Sequence, residues 1–153
     1  MLLEVIFQYL TLVGKCELGV GLGWDEIEQV ANIEALFTPT AHDRQLNGRR
    51  FRREMTQLTA LMRGDRIHDR VEIVELGPGG LVVRNAPYVA KGERIELVVD
   101  EGDCSYRFRA EGVWLTDDGD DYKVGLKLVG MPVMLHKVAI SARQLDVVDK
   151  IAA

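Results

Sequence analysis

The hydrophobic positions of the chain change their period near residue 40. Between Leu2 and Phe37 they recur at helical spacing, first as Leu2, Ile6, Tyr9 and Val13, then as Ile27, Val30, Ile33 or Glu34, and Phe37. Stripes of this kind predict two amphipathic helices. The stretch ELGVGLG (17–23) separates them. Its glycines suit a helix-helix connection, and a phosphate loop is disfavoured because no strand precedes them and the dinucleotide spacing is missing. Asp25, Glu26 and Glu28 follow at once, where the dipole of a second helix favours anions. The reading is an antiparallel helical pair forming an N-terminal extension over residues 1–40. Helices of this length are marginal alone, so their apolar face must be covered by the rest of the chain or by a second copy, which keeps a homodimer open.

After TPT (38–40) the texture becomes strand-like. Short runs of alternating or β-branched residues predict strands near 55–63, 70–75, 80–85, 93–100, 105–115 and 122–128. The segments between them, RGDR, GPGG, AKGE, DEGD and DDGDD, are rich in glycine and aspartate, as tight turns require. DDGDD lacks the frame of a calcium loop and reads as a hairpin turn. Pro132 is then expected to open a C-terminal helix, with Leu135, Val138, Ala142, Leu145 and Val148 on one stripe. The expected class is mainly β: a six-stranded antiparallel barrel over residues 41–153, including a helix from 132.

Composition changes this picture little. With 153 residues, 47% hydrophobic and 28% charged, the chain can build a core without staples. Cys16 and Cys104 have no metal or redox spacing, which argues for a reduced, cytoplasmic protein. His42, His68 and His136 are isolated in sequence, and no metal set or nucleophile-base pair suggests an enzyme. Met1 to Val13 is too short and too interrupted to insert in a membrane. Trp24 and Trp114 read as packing residues, and Arg107 and Arg109 as a solvated strand face.

Charge matters more. The formal net charge is -5, yet residues 41–70 hold eight arginines against four carboxylates, a local net of +4. NGRRFRRE (47–54) carries four of those arginines within five positions. A protein that coats long nucleic acid usually has a broad basic face and a high pI, whereas this pI is about 5.2. A small phosphorylated ligand fits a local basic cluster better.

The order RRFRR, a first strand, VEIVELGPGGLVV, GERIELVV, YRFRAEGVWL and YKVGLKLVGM resembles the PilZ domain family, six-stranded barrels that serve as bacterial receptors for cyclic di-GMP. The resemblance covers roughly residues 47–150. In that family an RxxxR motif enters the barrel, and here Arg49-Arg50-Phe51-Arg52-Arg53 supplies it. A second motif, [D/N]xSxxG, is matched by Glu75-Leu76-Gly77-Pro78-Gly79-Gly80, with Glu for Asp, Gly for Ser and the final glycine kept. The resemblance implies a ligand site made of Arg49, Arg50, Arg53, Glu75, Gly77 and Gly80, cyclic di-GMP as regulatory ligand, no cofactor, and signalling to a protein partner.

The chemistry of these residues suits that ligand. A guanidinium can pair with phosphate, donate twice to guanine O6 and N7, or stack on a purine. A carboxylate opposite accepts from guanine N1-H and N2-H2. Glu75 reaches one methylene further than aspartate and Gly77 offers no hydroxyl, and each lost neutral bond costs about 0.5–1.5 kcal/mol, enough to weaken binding. Two readings follow. One is a receptor and adaptor for cyclic di-GMP, and the other is a degenerate PilZ-like adaptor that binds protein but no nucleotide. Restoring the second motif with Glu75→Asp and Gly77→Ser is expected to strengthen binding unless Gly77 has a positive φ.

Overall fold

The computed structural model describes residues 2–41 and 50–136. Two helices, α1 (Leu2–Glu17) and α2 (Trp24–Leu36), precede six strands. These are β1 (Glu54–Arg63), β2 (His68–Gly77), β3 (Gly80–Ala86), β4 (Arg94–Glu101), β5 (Cys104–Asp118) and β6 (Asp121–His136). All six predicted strands are present, and β5 and β6 run longer than the alternation suggested. Arg49 lies outside the described residues, as do positions 137–153.

The strands close into an antiparallel barrel in the order β1-β2-β3-β6-β5-β4, and β4 pairs back to β1 through Ala60↔Val99 to Arg63↔Glu96. Period-2 alternation points one set of side chains inward. On β4 these are Ile95, Leu97 and Val99, and on β5 Tyr106, Phe108 and Ala110, all buried. Met62, Ile73, Leu81, Val83, Val124 and Leu126 fill the rest of the interior. An ion pair between Arg63 and Glu96 crosses the closing seam.

The end of β6 corrects one expectation. Pro132 does not open a helix, because β6 continues through it to His136. Opposite Arg107 to Arg109 the register shifts, so that Val133 faces Arg107 while Val129 faces Arg109. Pro132 falls inside this bulge, beside Gly130 at φ 70°. Proline is tolerated there because a bulged residue owes no ladder bond. β3 pairing ends at Lys127, so among the described strands the last part of β6, beyond Leu128, pairs only with β5. The remainder of the expected helix lies outside the described residues.

α1 packs against this extension. A Cβ on Gly14 would stand 2.9 Å from Met131 Cε, and the Phe7 and Tyr106 rings are 5.7 Å apart. Leu3, Ile6, Tyr9, Ile33 and Phe37 join one core cluster with the barrel interior. The inward apolar faces of the two helices are thus buried in this shared core. Gly19, at φ 81°, ends α1, with its N-H on Cys16 O at 3.1 Å and the Val20 N-H on Lys15 O at 2.9 Å. The pair is antiparallel, cross-linked by Tyr9 Oη to Glu34 (3.1 Å), Gln29 to Gln8 (2.9 Å) and Lys15 to Glu26 (3.1 Å). At the start of α2 the Gly23 N-H donates to Glu26 Oε1 at 3.2 Å. That bond, together with Lys15, holds the Glu26 carboxyl below its ordinary range.

Candidate functional site

The arginine segment reaches the barrel between two structural neighbours, the end of α2 and the turn between β2 and β3. On the α2 side, the Arg52 N-H donates to Phe37 O at 2.8 Å and Arg52 Nη2 to Leu36 O at 3.0 Å. A cation fits there because the last carbonyls of a helix are unsatisfied and partly negative. Arg52 also pairs with Glu54 at 2.8 Å. Phe51 meets Tyr9 edge-on at 5.5 Å, and the Arg50 guanidinium sits 5.1 Å from the Phe51 ring centre. Arg50 lies 3.6 Å from Glu34, with 77% of its side chain exposed, a pair that contributes little stability.

On the barrel side the turn is built from glycine because the arginine segment and the backbone of β6 at Leu126 leave no room for more. A Cβ on Gly77 would lie 2.8 Å from Arg52 O and 3.1 Å from Arg53 Cγ, and one on Gly80 would lie 2.8 Å from Arg53 Nη2. A Cβ on Gly79 would be 3.3 Å from the Phe51 ring. The two segments that stood some twenty residues apart in sequence are therefore in direct contact. Gly77 does not have a positive φ. Steric contact with Arg52, and not backbone strain, is what a side chain at position 77 would encounter.

Arg50, Phe51, Arg53 and Gly79 form one side of a cleft of about 520 Å³, completed by Val113, Trp114, Gly125 and Lys127. That size falls within the ~300–1,000 Å³ typical of small-molecule sites. Trp114 is paired with Gly125 across β5 and β6, and its indole occupies the space a Cβ on Gly125 would take. The residue therefore offers an aromatic surface that is 37% exposed. Arg50, Arg53 and Lys127 supply positive charge beside it, and among the described residues the cleft lining contains no carboxylate. A planar base and a phosphate can be held together here, by stacking and by charge-assisted hydrogen bonds.

Of the residues expected to form a site, Arg50, Arg53, Gly77 and Gly80 are brought together, the two glycines as the surface on which Arg53 rests. Arg49 is outside the described residues. Glu75 pairs with Met55 on β1 and Val82 on β3, and it is not part of the cleft lining.

Sequence reasoning missed Val113, Trp114 and Lys127. Tyr106, Phe108, Ala110 and Gly112 alternate inward on β5, and then the register slips between Gly112 and Trp114. The bulge turns both Val113 and Trp114 outward, at 45% and 37% exposure. The legible signal was an adjacent apolar pair straight after Gly112. Trp24, read as a packing residue, is 88% exposed, since it begins α2 on the side away from α1.

A larger open depression of about 680 Å³ lies over β1, β2 and β4, lined by Thr59, Leu61, His68, Arg70, Val98 and Asp100. Asp100 offsets the charge of Arg70 there, so this depression lacks the uniform pull on an anion that the first cleft has. Among the described residues no three of His, Cys, Asp and Glu converge as a metal set, and no helix is long and apolar enough to cross a membrane. The family model described as PilZ domain matches residues 47–138. No curated protein matches the chain.

Proposed function

The chain belongs to the PilZ family, and on that premise we propose that its cleft binds cyclic di-GMP and that the helical pair relays binding to a protein partner. The observation carrying this reading is the contact of Arg53 with the Gly77–Gly80 turn, at the side of a cleft that also holds Trp114 and Lys127. Arg53 and Lys127 take the phosphates, and Arg50 is exposed enough to swing onto the ligand. Trp114 supplies a face for one guanine. Arg49 continues the same segment and adds a further guanidinium.

The relay follows from what the arginine segment already touches. Arg50 is shared with Glu34, Arg52 holds the last α2 carbonyls, and Phe51 packs on Tyr9. A ligand that draws Arg50 away from Glu34 and orders this segment changes the contacts at the end of α2. Binding thereby alters the surface that a partner meets.

Calorimetric titration with cyclic di-GMP tests the reading. Arg49→Ala and Arg53→Ala should each weaken binding at least about tenfold, since a charge-assisted bond is worth ~1.5–3 kcal/mol. Unchanged affinity in both removes the ligand from this cleft. The second reading, an adaptor without nucleotide, rests on the hydroxyl missing at Gly77 and on Glu75 standing outside the cleft lining. A folded parent protein that gives no heat with cyclic di-GMP would establish that alternative.

A further inference from the structure

The outer face of α2 is apolar and open to solvent. Ile33 is buried and Val30 partly so, which fixes the inward side of the helix. With 3.6 residues per turn, Trp24, Ile27, Ala31 and Ala35 align on the opposite side. Trp24 is 88% and Ile27 47% exposed, and both alanines are exposed. The turn before the helix adds Leu18 at 73% and Val20 at 54%. Single exposed apolar residues need no explanation, but four large ones between positions 18 and 27, including a tryptophan almost wholly in water, form a patch of the kind that marks an interaction surface.

The spacing and the charges say what fits it. Positions i, i+3, i+7 and i+11 form the seam on which a second helix lies. Ala31 and Ala35 are short enough to let its backbone approach, while Trp24 and Ile27 supply the large contact area. The flanks are acidic. α1, α2 and their connection carry Lys15 against Glu4, Glu17, Asp25, Glu26, Glu28 and Glu34; Lys15 is paired with Glu26 and Arg50 with Glu34. Asp25 and Glu28 border the stripe. A second copy docking α2 on α2 would bring these carboxylates together, and an anionic bilayer would repel them. Basic residues beside an apolar stripe complement both features.

We propose that the outer face of α2, with Leu18 and Val20, docks an amphipathic helix of a partner protein whose apolar stripe is flanked by Lys and Arg. The face shares no residue with the cleft lining, so the proposal stands whether or not the cleft binds nucleotide.

The test is fluorescence anisotropy with a labelled synthetic peptide helix carrying leucines at i, i+3 and i+7 and lysines beside them, titrated with the whole protein at physiological ionic strength. Its controls are a scrambled peptide of the same composition and one with glutamates replacing the lysines. The basic amphipathic peptide should bind and both controls should not. The protein variant Trp24→Ser with Ile27→Ser, which keeps the parent's charge and is compared with it by thermal unfolding, should bind it at least about tenfold more weakly. Absence of binding, equal binding of the scrambled peptide, or unchanged binding by the variant overturns the proposal. A concentration-dependent dimer in sedimentation that Trp24→Ser abolishes would assign the face to a second copy. A blue shift of Trp24 emission with phosphatidylcholine-phosphatidylglycerol vesicles, without peptide binding, would assign it to a membrane.

Discussion

Gly77 shows why the second motif departs from its usual form. With Arg52 O 2.8 Å from the position of its absent Cβ, no side chain fits without moving the arginine backbone. Gly77→Ser therefore carries a steric cost beside the hydroxyl it restores: the serine Cβ must displace the Arg52 carbonyl. Gly77→Ala should lower stability by ~1–3 kcal/mol, the usual cost of overpacking, as read by urea unfolding, and an unchanged midpoint would mean that the segment yields freely. Gly125 poses the same problem toward Trp114. Gly125→Ala should displace the indole and shift its emission, whereas an unshifted spectrum would contradict the close approach of Trp114 to Gly125.

Tyr9 gives a pH-dependent test at the same scale. Burial, then its hydrogen bond to Glu34, pushes the phenol up to about 12 from an ordinary 10.0. A raised folded-state value means that the native state holds its proton more tightly. The resulting stability is complete below pH 10 and is lost as pH rises from 10 toward about 12. Unfolding of the parent should therefore show a steeper alkaline loss than unfolding of Tyr9→Phe. Identical pH profiles would place Tyr9 in water.

Among the elements, the connection between α2 and the arginine segment is the one on which the proposed relay depends. Arg52 bonds two carbonyls at the end of the helix, one through its side chain. Arg52→Ala removes the side-chain bond and the pair with Glu54, and should cost ~0.5–1.5 kcal/mol. Amide exchange near Leu36 and Phe37 should accelerate while exchange in the barrel strands stays unchanged. Uniform acceleration throughout the chain would instead mean that the helix end and the barrel open together.

Element existence was legible because period 2 and period 3.6 are local properties of a sequence. Both helices and all six strands could be placed from them. Bulges were not legible, since they depend on how two strands register against each other. The slip at Arg107 to Arg109 carried Pro132 into a strand, and the slip after Gly112 turned Trp114 into the cleft. Half of the cleft was therefore hidden, although the arginines and glycines of the other half could be named from their spacing and family resemblance. Trp24 was misread because a helix's first residue carries little periodic information.

At the scale of the molecule, helices and barrel share one core through Leu3, Ile6, Tyr9, Ile33 and Phe37. A chain shortened to begin at Ala41 would expose the β6 extension on which α1 rests. It should unfold at lower temperature or self-associate, and sedimentation with a thermal scan showing neither would contradict the shared core.

The central claim, that nucleotide binds between the arginine segment and Trp114, can be tested in one fluorescence titration. The chain has two tryptophans, so Trp24→Phe leaves Trp114 as sole reporter. Cyclic di-GMP added to this variant should quench or shift Trp114 emission along a saturable curve, and adding Arg53→Ala should move that curve to at least about tenfold higher ligand. Saturable binding by calorimetry with a silent Trp114, or a curve unmoved by Arg53→Ala, would contradict the account.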